Sequence, residues 1–283
     1  MTLLVESPGA LALIQDRGRP GMGRLGVTTS GAFDRRALRQ ANALLGNEPD
    51  AAVIELLGGG LALRAEADHV VAVTGSAGAV RVDGRPVAEG RAIRVAAGQR
   101  LTIDAPLTGL RSYLGVSGGI LADRELGSCA TDTLAGLGPA PLGPGDLLRV
   151  GAPGRLPDLE DVLPLGGAGE VVLDVVMGPR DDWFTERAVR RLLEEAWHVS
   201  PASNRIGVRL TGPSLERRIG RELPSEPCVR GSIQVASDGQ PIVFGPDHPV
   251  TGGYPVIAVV VDAQTDRLAH VRPGDAVRFR PRP

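Results

Sequence analysis

The residues best suited to chemistry in this 283-residue chain gather at Asp247-His248-Pro249-Val250-Thr251-Gly252-Gly253-Tyr254-Pro255. Adjacent glycines let main-chain amides face a ligand, the Thr251 and Tyr254 hydroxyls stand beside them, and Asp247 is a candidate base. The same residues could equally form an ordinary loop. A second group, Gln15-Asp16-Arg17-Gly18-Arg19-Pro20-Gly21 followed by Ser30-Gly31-Ala32, sets polar side chains between Gly and Pro. Arg19 there could grip a carboxylate or phosphate with both arms, and Ser30 could touch the same ligand. Asp34, just beyond, suits a helix cap. Further along, Asn42, Asn47 and Glu55 follow. Glu55 lies in an apolar run, so it must be paired or hydrogen-bonded.

In the second half, Ser200-Pro201-Ala202-Ser203-Asn204-Arg205 reads as a turn entering a strand. Ser203 and Arg205 could clamp an oxyanion, or could only stabilise that turn. Glu222, Ser225, Glu226 and Gln234 are further polar candidates, and spacing alone gives the acids no catalytic role.

Several chemistries are excluded. All 31 basic residues are Arg, so the chain has no lysine Schiff base, no lysine-linked biotin and no P-loop lysine. Any biotin must be carried by another chain. His69, His198, His248 and His270 lack ligand spacing, and Cys129 and Cys228 lie far apart, so neither a metal nor a disulfide is expected. There is no GxGxxG directly after a strand. A net charge of −2 with 3% aromatics argues against nucleic acid. No apolar run approaches the roughly 18 residues of a membrane span. The start has no secretory pattern, so a cytoplasmic location is expected.

These residues need a frame, and the frame reads as mainly β. Runs rich in Val and Ile at 69–75, 79–82, 92–95, 101–104, 111–116, 171–177, 205–210, 232–235 and 255–261 are closed by turn residues. Asp83-Gly84 and Asp238-Gly239 suit hairpin turns. Two segments have helical period. Asp34 caps one that carries Ala37, Leu38, Ala41, Leu44 and Leu45 and ends at Gly46; Thr185 precedes the other, with Val189, Leu192, Leu193 and Ala196. The Pro- and Gly-rich stretch 153–168 reads as a connector between an N-terminal half, 1–152, and a C-terminal half, 169–283. Pro144-Gly145-Asp146 followed by LLRV closes the first half, and Pro273-Gly274-Asp275 followed by AVRF closes the second, which suggests duplicated β units.

Seven segments in order carry a resemblance: PGALALIQDRGRPG at 8–21, SGAFDRRALRQANALLGN at 30–47, AVIELLGGG at 52–60, YLGVSGGI at 113–120, SPASNRIGVRLTGP at 200–213, GSIQVASDGQPI at 231–242 and VTGGYPVIAVV at 250–260. On these the chain resembles the biotin-dependent carboxyltransferase family, whose members are also known as the C-type subunit of 5-oxoprolinase, KipA or allophanate hydrolase subunit 2, and is similar to the carboxyltransferase part of urea carboxylase. The resemblance implies two tandem cyclophilin-like β-barrel halves, each with a short helix. It implies ATP-dependent opening of 5-oxoproline to glutamate in a three-part enzyme. The other two parts would be a KipI-type (B-type) chain and a LamB/YcsF-type (A-type) chain, with ATP bound at the level of the complex. Two alternatives remain open: carboxyl transfer to a urea-type amide from biotin on another chain, or non-catalytic antagonism of a kinase inhibitor. By matching position, Asp247, Thr251 and Tyr254 are the catalytic candidates. Gln15, Asp16, Arg19, Ser30, Asn42, Ser203, Arg205, Gln234, Gly252 and Gly253 are the binding candidates. The family's Thr-Thr-Gly-Gly-Tyr-Pro has Val250 in place of its first Thr here, which removes one hydroxyl.

Overall fold

Val- and Ile-rich segments with alternating burial assemble into β structure in a computed structural model that describes residues 1–157 and 170–282. Most of the expected connector, 158–168, lies outside the described residues. Two units result. The first takes Met1–Arg19, Asp34–Asp132 and residues 136–157; the second takes Pro20–Phe33, Thr133–Ala135 and residues 170–282.

The first unit contains two sheets. One has seven strands in the order Ile120–Leu121, Leu147–Val150, Thr2–Pro8, Leu61–Ala65, Arg100–Ile103, Val80–Val82 and Arg85–Val87. The other has five: Leu11–Gln15, Val53–Leu57, Arg111–Val116, His69–Gly75 and Ile93–Val95. Inward residues of both, among them Leu3, Val5, Ile54, Leu56, Leu63, Val71, Val73, Ile103 and Leu114, form one core. Burial of such side chains stabilises by about 1.5–3 kcal/mol each. Helix α1 (Arg35–Leu45) is capped by the Asp34 carboxylate, which accepts from the amides of Arg36 and Ala37, and it ends at Gly46 with φ 64°. The Tyr113 hydroxyl accepts the Asp34 amide at 2.7 Å, which fixes the cap to the five-stranded sheet.

The second unit is a closed barrel of seven strands: Val171–Met177, Val256–Val260, Ser232–Val235, Pro241–Phe244, Gly207–Thr211, Trp197–Val199 and Ala276–Pro281. Closure comes from the parallel pairing of Val171–Met177 with Ala276–Pro281, which leaves no free edge in the barrel. Helix α2 (Glu186–Glu194) is capped by Thr185 and buries Ala188 and Leu192. Trp197 begins the next strand and donates its indole N–H to the Leu192 carbonyl at 3.2 Å, tying α2 to the barrel. A nine-residue run of 3₁₀ turns, Asp262–His270, has no counterpart in the helical periodicity of the sequence.

The PGD turns are alike bond for bond. Gly145 and Gly274 have φ of 92° and 90°. Asp146 accepts the Gly143 amide at 2.7 Å and Asp275 accepts the Arg272 amide at 2.8 Å. Gly145 N–H donates to the Val5 carbonyl and Gly274 N–H to the Val199 carbonyl, each at 2.8 Å. Each unit thus closes on one strand-entry device, while the sheets built on it differ: two in the first unit, a closed barrel in the second.

Candidate active site

In the second unit Asp247 is fully enclosed, and five donors meet its carboxylate. Ser30 Oγ and Arg205 Nη2 donate to Oδ1 at 2.7 and 2.9 Å. Arg205 Nε, Thr133 Oγ1 and Thr133 N–H donate to Oδ2 at 2.8, 2.7 and 3.0 Å. Burial pushes this carboxyl up, but the Arg205 charge and hydrogen bonds, with those of Ser30 and Thr133, outweigh it and hold the group below its ordinary value. Arg205 also donates to the Gly31 carbonyl at 2.7 Å. Ser30 has φ 55°, a left-handed conformation unusual outside glycine, and this conformation accompanies its bond to Asp247.

Arg205 is aimed inward by the turn before it. Asn204 Oδ1 accepts the amides of Ile206 and Gly207 at 2.9 and 3.2 Å, and Ser203 Oγ accepts the Arg209 amide at 3.0 Å. Ser203 therefore organises the strand entry. Next to Asp247, the His248 ring stacks on Phe244 with centroids 5.8 Å apart. Its Nδ1 donates to the Pro249 carbonyl at 2.8 Å, which leaves Nε2 3.2 Å from Thr28 Oγ1.

From this anchored base the chain runs into Thr251–Gly252, a two-residue strand paired with Glu226–Pro227. Arg180 Nε holds both Glu226 oxygens, at 2.9 and 3.0 Å. Gln234 Nε2 donates to the Tyr254 carbonyl at 2.9 Å. At position 252 only glycine fits without displacement, because a Cβ would lie 2.6 Å from Gln234 Nε2 and 3.2 Å from Cys228 Sγ. Thr251 and Gly253 are exposed. Tyr254 is 44% exposed, with the Arg217 guanidinium 5.6 Å from its ring centre. Hydroxyls, glycine amides and arginine charge thus share one accessible edge, a combination able to bind a small anionic amide.

The first unit holds the remaining candidates in two places. Asp16 accepts the Gly18 amide and the Ser128 hydroxyl on one oxygen, at 2.7 and 2.6 Å, and the Cys129 amide on the other at 2.9 Å. Gln15 Nε2 donates to the Thr131 carbonyl at 2.8 Å. Arg19, 1% exposed, donates to the carbonyls of Ala130 and Glu125 and lies 3.9 Å from Asp132. These three side chains clasp the segment 125–132. Asn42, on α1, donates to the Ala51 carbonyl at 2.8 Å and accepts from Asn47 at 3.2 Å, so it holds the turn after the helix.

Ser30, Arg205 and Asp247 come together; Thr251, Gly252, Gly253, Tyr254 and Gln234 form the edge that follows. Gln15, Asp16 and Arg19 form a separate cluster, and Asn42 and Ser203 each serve a turn. Thr133, Thr28, Arg180 and Arg217 are participants that sequence motifs did not single out, whereas Glu226 is a polar candidate already on sequence grounds. Thr133 stands 114 residues from Asp247 and carries no local signature.

The chain matches a family model described as "Carboxyltransferase domain, subdomain A and B" over residues 25–281. It is 36% identical to the C-type subunit of 5-oxoprolinase from Escherichia coli (strain K12), with 98% of this chain and 90% of that protein covered. It is 32% identical to the urea amidolyase of Saccharomyces cerevisiae over 98% of this chain, but spans only 16% of that protein's length. Among solved structures, the K. lactis urea amidolyase superposes with a TM-score of 0.91 at 28% identity, covering 99% of this chain and 18% of that one. The crystal structure of TTHA0988 superposes at 0.87 with 33% identity, covering 98% and 55%. With the anchored loop, the two β units and these matches in hand, the chain belongs to the carboxyltransferase domain family, subdomains A and B.

Proposed function

We propose that the chain is the C-type subunit of an ATP-dependent 5-oxoprolinase, working with KipI-type and LamB/YcsF-type subunits to open the lactam of 5-oxoproline to glutamate. The observation that carries this reading is the pairing of a locked base with an accessible edge in the second unit. Asp247, Arg205, Ser30 and Thr133 hold the loop, and residues 251–254 present hydroxyls and glycine amides next to arginine charge. Such an edge complements both the lactam oxygen and the carboxylate of the substrate. Near full-length similarity to the C-type subunit of a 5-oxoprolinase supports the choice of substrate.

In this reading Asp247 is an anchor. A base must give up a hydrogen-bonded lone pair to take a proton, and here both oxygens are committed to charged or hydroxyl donors. Thr251 and Tyr254, which are exposed, are the groups that touch substrate. Gln234 and Arg205 position them. ATP binds at the level of the complex.

A second reading, carboxyl transfer to a urea-type amide, is favoured by the similarity to urea amidolyase. Biotin would then arrive as a substrate on another chain, since this one has no lysine to carry it. The deciding experiment co-purifies the chain with its KipI-type and LamB/YcsF-type partners and follows glutamate release from 5-oxoproline with and without ATP. ATP-dependent release that falls at least tenfold in Tyr254→Phe supports the proposal. No release with all three proteins present, with turnover once a biotinylated carrier and urea are supplied, overturns it in favour of the second reading.

A further inference from the structure

Two arginines stand beside the edge at 251–254, and the structure leaves them in different electrostatic states. Arg180 is neutralised by Glu226, whose two oxygens it holds through Nε. Arg217 makes no ion pair among the described residues; its sequence neighbours Glu216 and Arg218 are both exposed. The segment that meets Gly253 through the Leu223 carbonyl carries Arg221 and Glu222, one charge of each sign. Asp247 is matched by Arg205. The unmatched charge of the edge therefore falls on Arg217.

The fold fixes that charge in place. The backbone of Arg217 bridges Phe184 in antiparallel register, with Arg218 N–H donating to the Trp183 carbonyl at 2.8 Å and Thr185 N–H to the Glu216 carbonyl at 3.1 Å. Arg217 Nη2 donates to the Val235 carbonyl at 2.5 Å. Val235 ends the same strand, Ser232–Val235, that holds the edge: Gln234 Nε2 donates to the Tyr254 carbonyl, and Val235 N–H to the Pro255 carbonyl at 3.2 Å. One strand thus positions both the guanidinium and the tyrosine, and the guanidinium carbon stands 5.6 Å from the Tyr254 ring centre. Of the other two nitrogens, Nε is enclosed and bonds nothing among the described residues, while Nη1 is unbonded and accessible. A half-buried guanidinium held to one neutral acceptor keeps donors for an anion, and its field is screened less than that of an exposed arginine.

We propose that Arg217 takes the carboxylate of the substrate, and so makes the edge accept a lactam acid and reject a neutral amide. The assignment rests on the 5-oxoprolinase reading and deepens it. With its carboxylate on Nη1, a five-membered lactam is long enough to reach Tyr254. A site built to pair one substrate group discriminates against the analogue that lacks it, because its own polar group is then left unpaired. A urea-type amide offers Arg217 nothing.

The test places 3-fluorotyrosine in the full-length chain, alone and assembled with its partner subunits. The chain has two tyrosines, Tyr113 buried and Tyr254 half-exposed, so fluorine NMR gives one reporter at the edge and one internal control. 5-Oxoproline should shift the Tyr254 signal saturably and leave Tyr113 in place; 2-pyrrolidinone, the same lactam without the carboxylate, should bind at least tenfold more weakly. Arg217→Gln should lower the affinity for 5-oxoproline at least tenfold and bring the ratio between the two lactams close to one. Arg217→Lys, which keeps the charge, should fall between wild type and Arg217→Gln. In turnover by the assembled enzyme the loss should appear in KM. A substitution that only loosened the loop would weaken both lactams alike and preserve their ratio; that result overturns the proposal, as does the absence of a Tyr254 response in both forms of the protein. ATP-dependent glutamate release with a KM unmoved by Arg217→Gln sinks the assignment and keeps the function. No release, with the Tyr254 signal still answering the carboxylate through Arg217, sinks the function and keeps the assignment.

Discussion

Removing the Asp247 carboxylate tests the anchor directly. In Asp247→Ala, Arg205 loses both of its bonds to that carboxylate and keeps its bond to the Gly31 carbonyl; the guanidinium side chain is 3% exposed. Breaking a buried pair by deleting one partner costs about 3–5 kcal/mol, because the surviving charge stays desolvated. Ser30 and Thr133 lose their acceptor as well. Both tryptophans of the chain, Trp183 and Trp197, are buried in the second unit, so their fluorescence reports unfolding of that unit alone. With a urea slope of about 2 kcal/mol per molar, a loss of about 4 kcal/mol moves the midpoint down by about 2 M. Glu186→Ala, which breaks an exposed pair with Arg190 at 3.5 Å, should cost under about 0.5 kcal/mol and serves as control. The pH dependence has a definite sign. The folded-state carboxyl sits below its ordinary value, so its stabilisation is fully present above the unfolded value near 3.9 and is lost as pH falls through the lower folded value. The gap between wild type and Asp247→Ala should be flat from about pH 7 to pH 5 and narrow below about pH 4. A cost under about 1 kcal/mol at neutral pH, or a gap that widens in acid, would refute the anchor.

Gly252→Ala should destabilise by about 1–3 kcal/mol in thermal unfolding and reduce activity of the assembled complex, since its methyl displaces Gln234 from the Tyr254 carbonyl. Burial and the neighbouring Asp16 charge push the Cys129 thiol up to about 11, and burial with Glu226 also raises Cys228. Neither cysteine should react with a disulfide reagent at pH 8 in the native chain, whereas two thiols should titrate in denaturant; rapid native labelling would contradict this. Asp34→Ala removes the acceptor for the first amides of α1 and should cost about 0.5–2 kcal/mol, with faster hydrogen exchange at Arg36 and Ala37.

Local signals were legible where a residue type has one strong structural use. Asp34 and Gly46 bound α1 as their chemistry dictates, and Asp83-Gly84 makes a hairpin with φ of 48° and 76°. The Asp238-Gly239 turn is looser: only Gly239 has positive φ, and the Ala236 amide bonds across to the Gln240 carbonyl. Elsewhere tertiary demands moved the boundaries. The helical stripe reached Ala196, but α2 stops at Glu194 because Trp197 must enter the barrel core, where its ring packs against Gly212. The strand expected at 205–210 begins at Gly207, since the Asn204 turn takes Arg205 out of the ladder to face Asp247. Gln15, read as loop, is the last residue of a strand and pairs with Val53. The 3₁₀ run Asp262–His270 buries Thr265, Asp266, Leu268 and Ala269, a set with no 3.6-residue period to betray it.

The candidate site was legible by residue type and opaque by role, for a reason visible at Asp247. Its partners lie 42, 114 and 217 residues away in sequence, and only the fold brings them to one carboxylate. A sequence shows that Asp, Arg, Ser and Thr occur beside glycines; it does not show how many donors each acceptor will meet. That number separates frame from chemistry. A carboxylate met by five donors and closed to solvent has little capacity left for a substrate proton. A half-exposed tyrosine beside an arginine, on a loop whose backbone is fixed by Gln234 and by the Glu226 ladder, is the group that meets substrate in the proposed reading. Rigidity beneath and exposure above are what a binding edge needs, and in this barrel they fall on successive residues of the same turn.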